Sequence, residues 1–165
     1  MIPIKAYLGF DTNGKPFSGF DDTDKSDYSC STRGGNYMIL IFGGAYQGKL
    51  EYAIKRFGLL EADVIFCKDE DATCPTGSKA VYQIDKWILA LICEGKNIKE
   101  ETERFLNKSP NTIIICNDIS CGVVPIDPVL RKWREETGRF LGLLAQHSSE
   151  VIRLYCGIPT TLKGA

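Results

Sequence analysis

Residues 38–50, Met-Ile-Leu-Ile-Phe-Gly-Gly-Ala-Tyr-Gln-Gly-Lys-Leu, limit what this chain can fold into more than any other stretch. The apolar run Met38 to Phe42 reads as a buried strand, and Leu50, Ala53, Ile54 and Phe57 follow at helical spacing. A strand therefore meets a helix through a loop that holds Gly43, Gly44 and Gly48 and closes on Lys49. Gly43 and Gly48 stand at the spacing of the phosphate-binding pattern G-x-x-x-x-G-K-[ST]. Glycines let successive N–H groups point inward, and a helix N-terminus and a lysine add positive charge. Residues Gly43, Gly44, Ala45, Tyr46, Gln47, Gly48, Lys49 and Leu50 are thus the candidate nucleotide-binding set. Leu50 stands where the pattern has a hydroxyl that holds magnesium, and it also fits the apolar stripe of its own helix. The bland alternative is a tight strand–helix turn with a surface lysine.

Beyond this loop the chain alternates. Ala62 to Cys67 and Lys79 to Ile84 read as strands, the second ending at Asp85. Lys86 to Cys93 is apolar on most sides and reads as a deeply buried helix stopped by Gly95, and Ile98 to Lys108 as a charged helix. Glu100 and Arg104 stand at supportive spacing on that charged helix. Thr112 to Cys116 is a β-branched run suited to a strand covered on both faces. Asp127-Pro128 is a helix start, with Leu130, Trp133, Thr137, Phe140, Leu141 and Leu144 on one face. Glu150 to Cys156 reads as the last strand. Strands alternating with helices predict an open, mostly parallel α/β sheet whose ligands lie outside the strands' carboxyl ends. Phe42–Gly48, Asp85 and Asn117–Asp118 all fall there. Asp85 is a candidate magnesium ligand or a helix N-cap. Arg131 and Arg134 are placed to meet a phosphate or to solvate a helix face, with the solvated face favoured. His147, the one histidine, reads as a helix-end residue.

Residues 1–36 differ in character, with five glycines and five aspartates. Ile4 to Phe10, Asn13-Gly14 and Pro16 to Phe20 suggest a hairpin, and Asp21 to Gly35 a loop. The alternatives are a flexible arm or a true start at Met38. The expected division is an N-terminal extension, 1–36, and a nucleotide-binding α/β domain, 37–165. A chain of 165 residues with 44% apolar content suits one such core. A net charge of −1 gives no reason to expect a nucleic-acid partner. No apolar run reaches the roughly 18–20 residues of a membrane span, and the N-terminus lacks a secretory pattern. Seven cysteines without zinc spacing are expected as reduced thiols in a cytoplasmic protein, with Cys67, Cys93, Cys116 and Cys156 buried.

Taken in order, Met38 to Lys49, Ile84-Asp85, and Asn117-Asp118-Ile119-Ser120-Cys121-Gly122-Val123-Val124-Pro125 resemble the adenosylcobinamide kinase/adenosylcobinamide-phosphate guanylyltransferase family. The family runs Asn-Glu-Val-Gly-x-Gly-Ile-Val-Pro in the last of these. Arg131, Gly138-Arg139, Gly157-Ile158-Pro159 and Leu162-Lys163 continue the likeness, which spans about residues 38–163. The resemblance implies a P-loop NTPase-like fold and ATP or GTP as substrate with Mg2+. It implies phosphorylation of the aminopropanol hydroxyl of a corrinoid, then GMP transfer from GTP through a guanylylated histidine, and a homo-trimer. Lys49, Asp85 and Asp118 are the catalytic candidates it selects, with Asp85 on the metal. The sequence departs from the family at Leu50 for Ser, at Asp118 for Glu, and in having no histidine between Cys67 and Lys79. Guanylyl transfer is therefore expected to be weak or absent. A catalytically inactive nucleotide-binding relative and a purely structural protein are the competing expectations.

Overall fold

The computed structural model describes residues 37–164. The expected hairpin, loop or arm in residues 1–36 lies outside the described residues. The elements are β1 (Ile39–Gly43), α1 (Lys49–Phe57), β2 (Val64–Phe66), β3 (Ala80–Tyr82), α2 (Ile84–Cys93), α3 (Ile98–Lys108), β4 (Ile113–Asn117), α4 (Pro128–His147), β5 (Glu150–Tyr155) and β6 (Ile158–Lys163). The strands form one sheet in the order β2-β3-β4-β1-β5-β6. The first five run parallel, and β6 returns antiparallel along β5. This is the P-loop NTPase-like α/β fold: a mostly parallel sheet flanked by helices, with β1 between β4 and β5.

Alternation along β1 sorts the core into two layers. Ile39 and Ile41 pack with Leu50, Ala53 and Ile54 of α1 on one face. Leu40 faces the other way, toward a larger cluster under α2, α3 and α4. Three aromatic rings join those helices: Trp87 lies 5.6 Å from Phe105 and 6.2 Å from Phe140 between centroids, and Phe105 lies 6.1 Å from Phe140. All three are buried. The α4 start follows its sequence signal, since Asp127 Oδ1 accepts from the Leu130 N–H at 2.9 Å with Pro128 in the first turn. On α1, Arg56 reaches Glu150 Oε1 at 2.6 Å and ties the helix to the start of β5.

Several elements differ from the sequence reading. The stretch 79–84 is not one strand. β3 stops at Tyr82, Gln83 takes a left-handed conformation (φ 58°), and Ile84-Asp85 open α2. Asp85 therefore neither ends a strand nor caps the helix; Gln83 occupies the cap position without a side-chain bond. A 3-10 turn at Glu61–Asp63 takes the first part of the expected 62–67 strand. Glu150–Tyr155 is not the last strand, because Cys156 and Gly157, both at positive φ, turn the chain back into β6. Leu130 is exposed, and the packed face of α4 runs through Thr137, Phe140, Leu141 and Leu144. Arg104 pairs with Glu101 at 2.8 Å, in the turn next to the expected Glu100. Cys67 and Cys116 are buried as expected, whereas Cys93 and Cys156 are exposed, at a helix end and a turn.

Trp87 sits where three helices meet, so its removal leaves a large cavity. Trp87→Ala is expected to lower the unfolding free energy by about 3–5 kcal/mol in denaturant titrations.

Candidate functional site: a glycine loop closing on a buried lysine

Gly43 sets the position of the loop. A side chain there would place its Cβ 2.3 Å from the Leu154 carbonyl oxygen, so only glycine lets β1 end this close to β5. On its other side the Gly43 carbonyl accepts the Asp118 N–H at 2.9 Å. The chain then bends through Tyr46 (φ 59°) and Gly48 (φ 74°), and α1 begins at Lys49. Tyr46 is 98% exposed, so its left-handed backbone serves the bend rather than any packing of the ring. The N–H groups of Gly44 to Gly48 make no hydrogen bond of ordinary geometry among the described residues. Gln47 folds back over Gly43 and Gly44, and its buried Oε1 has no partner among those residues.

Lys49 is only 4% exposed, and its Nζ donates to the Gly44 carbonyl at 2.6 Å. The loop thus closes on its own lysine. Burial lowers the Lys49 pKa, and the Asp85 carboxylate and then Cys116 work in the opposite direction. Leu50, 5% exposed, joins the core of its own helix, so the apolar reading of that position is the one the fold uses.

Asp85, 2% exposed, lies in the first turn of α2. Its Oδ1 accepts the Asn117 N–H at 3.0 Å, and the Asn117 Nδ2 donates to Oδ1 at 3.3 Å and Oδ2 at 3.2 Å. The Asp85 carbonyl accepts the Trp133 Nε1–H at 2.6 Å, which locks α2 to α4. Asn117 ends β4, directly beside Gly43 in the parallel register. Sequence inspection singled out the Asn117-Asp118 pair without finding the first residue's task, which is to hold the buried carboxylate. The signal was present: a polar side chain ending a buried strand needs a partner.

Asp118 follows, with Oδ1 accepting from Ser120 Oγ at 2.6 Å and from the Ser120 N–H at 3.2 Å, and Oδ2 from Cys121 Sγ at 3.3 Å. Burial works to raise the Asp118 pKa, but the hydrogen bonds from Ser120 and Cys121 outweigh it and hold the carboxyl below its ordinary value. Arg131 and Arg134 neither reach into the loop nor simply solvate α4. Arg131 donates to the carbonyls of Pro125 and Ile126, and Arg134 to that of Gly122, so they hold the segment between Asp118 and α4 in shape. His147 stands at the C-terminus of α4, three residues before β5 begins. That is the sheet edge where strands start, opposite the glycine loop. Its Nδ1 lies 3.0 Å from the Leu143 carbonyl.

Gly43–Leu50, Asp85 and Asn117–Asp118 thus gather at one sheet edge, and His147 does not. With that geometry in place, a family profile described as cobinamide kinase / cobinamide phosphate guanyltransferase matches residues 78–162, just over half of the chain. The chain belongs to this family. The match runs from β3 to β6 and takes in Asp85, Asn117 and Asp118. The glycine loop precedes it and rests on its own spacing and geometry. A search of curated proteins finds no match. Membership places the chain among transferases of cobalamin biosynthesis whose substrates are nucleoside triphosphates and cobinamide compounds. Among the described residues no helix is long and apolar enough to cross a membrane.

Replacing Asn117 by Ala removes donors from the buried Asp85 carboxylate. Asn117→Ala is expected to cost about 2–3 kcal/mol of stability in urea at neutral pH, since hydrogen bonds to a charged group are among the stronger ones.

Proposed function

We propose that the chain is a nucleoside-triphosphate-dependent kinase that phosphorylates the aminopropanol hydroxyl of adenosylcobinamide. One observation carries this reading: a glycine loop bent through left-handed backbone at Tyr46 and Gly48 closes on the buried Lys49, at the sheet edge that also holds Asp85 and Asp118. Such a cup suits the β- and γ-phosphates of ATP or GTP. Residues 37–165 are taken as the catalytic unit.

Phosphoryl transfer to an alcohol asks for placement and charge neutralisation more than for covalent help from the protein. The acceptor oxygen attacks the γ-phosphorus, the bond to the β–γ bridging oxygen breaks, and the nucleoside diphosphate leaves. The hydroxyl proton passes to Asp118. An Asp118 carboxyl held below its ordinary pKa is a weak base, which suffices where the transition state is loose and the proton moves late. Ser120 and Cys121 fix its orientation. Lys49 exchanges the Gly44 carbonyl for phosphate oxygens.

Magnesium fits this donor set in part. Asp85 offers one carboxylate with lone pairs beyond those engaged by Asn117, whereas Leu50 offers no oxygen. Magnesium is commonly held by one or two carboxylates together with substrate phosphates and water. Asp85 would hold it, through water where the hydroxyl ligand is missing. The ion would neutralise charge on the transferring phosphoryl group.

The guanylyl-transfer step of the family is not proposed here. It needs an imidazole nucleophile near the nucleotide, and the sole histidine lies at the opposite sheet edge. Homo-trimer assembly is proposed from the family resemblance, and exposed Val123, Val124 and Ile126 supply apolar surface for it. The second reading, an inactive nucleotide-binding relative, draws on Leu50 and on the missing histidine between Cys67 and Lys79.

Phosphorylation of adenosylcobinamide with ATP or GTP and magnesium tests the proposal. Turnover is expected, with kcat falling about 10²–10³-fold in Lys49→Ala and about 10–10²-fold in Asp118→Asn. Turnover no greater than that of Lys49→Ala overturns the kinase reading. Incubation with labelled GTP is expected to leave no acid-labile guanylyl adduct on the protein.

A further inference from the structure

We propose that the hydroxyl-bearing arm of the acceptor alcohol is held in a second cavity, on the α4 face of the sheet, with Gly142 as the residue that keeps it open. This rests on the kinase reading of the neighbouring loop. The cavity is about 400 Å³, between α4 and the strands β1, β5 and β6. Asp118 and Ser120 line one part of it. Apolar walls come from Phe42, Leu141, Val151 and Leu162. The Asp118 N–H is also bonded to the Gly43 carbonyl, so the cavity adjoins the glycine loop through this residue's backbone.

Two glycines in α4 make the case. At Gly138 a side chain would bring its Cβ 3.2 Å from the Ser120 Cβ, so close approach of the helix to the 118–122 loop accounts for glycine there. At Gly142, one turn on, a Cβ would meet nothing within 4 Å among the described residues. Glycine in a helix interior is less stable than alanine, and here no neighbouring atom requires it. Gly142 is exposed where it lines the cavity, so it stands at the opening, and a larger side chain there would narrow the way in. The occupant must be narrow and largely apolar, and it must carry a hydroxyl at the Asp118 end. A volume near the lower end of the roughly 300–1,000 Å³ typical of small-molecule sites admits an arm of a few carbons and excludes a macrocycle. The bulk of a large acceptor therefore stays outside. Specificity then lies in the arm: a longer or branched arm is rejected by Leu162 and Val151, and an arm without the hydroxyl offers Asp118 no further donor beyond Ser120 and Cys121.

The full-length chain, labelled at its methyl groups, is titrated with adenosylcobinamide without nucleotide, and KM values are measured for wild type and Gly142→Leu. Binding is expected to shift the methyl signals of Leu141, Val151 and Leu162. Gly142→Leu is expected to abolish those shifts and raise KM for adenosylcobinamide at least about tenfold, with KM for the nucleotide within about twofold of wild type. If Gly142→Leu does not fold, Gly142→Ala, whose added carbon meets nothing, is expected to raise the acceptor KM in the same direction by a smaller factor. Shifts confined to other methyls, or an unchanged acceptor KM in the folded variant, overturn the cavity. Turnover with silent cavity methyls refutes the cavity and leaves the kinase standing. Cavity shifts without turnover refute the kinase and leave the arm site standing.

Discussion

A buried lysine at the start of a helix is an expensive arrangement unless an anion completes it. Lys49 opens α1 there, with the glycine loop before it and the Asp85 carboxylate within electrostatic reach. Its Nζ donates to the Gly44 carbonyl, and the Asp85 carboxylate offsets part of the cost of its burial. Burial weakens the ammonium's hold on its proton, and an incoming polyanion reverses that balance, because desolvated opposite charges attract strongly. On the proposed reading, phosphate binding is the state in which this loop would satisfy its own polar groups.

What surrounds the lysine serves to keep that cup in one shape. Gly43 is pinned on both sides, by the close Leu154 carbonyl of β5 and by the Asp118 N–H after β4. Asn117 holds Asp85 from below, and Trp133 fixes the same residue's carbonyl from α4. Arg131 and Arg134 brace the segment from Asp118 to α4 by its own carbonyls. Leu50 belongs to this scaffold as well. It trades a possible metal ligand for core packing under α1, and on the proposed reading magnesium would be held by Asp85, water and the nucleotide itself.

Much of this was legible from residue order, and the failures have physical causes. The apolar strand, glycine turn and amphipathic helix at 38–57 can be read because burial on one or both faces leaves a period in the sequence. Asp127-Pro128 announces α4 because capping chemistry is local. The 79–85 stretch misleads because Val81 and Ile84 are both buried, one on a strand and one on a helix, and the left-handed Gln83 between them has no sequence signature. β6 escapes detection because all six of its residues are exposed, so no period of two marks it. Its turn uses Cys156 at positive φ, where Asn or Asp is the usual signal. At the site, the acidic residues and the loop could be picked out by type. The pairing of Asp85 with Asn117, and the loop-bracing work of two arginines, depend on contacts made across the sheet or to backbone carbonyls, which spacing does not encode.

The most direct measurement is the backbone amide spectrum of the labelled protein as pyrophosphate, and then GTP with magnesium, is added. The account predicts large shifts concentrated at the N–H groups of Gly44 to Lys49, saturating together. Unmoved loop amides at millimolar ligand, or shifts centred on another surface, would contradict it.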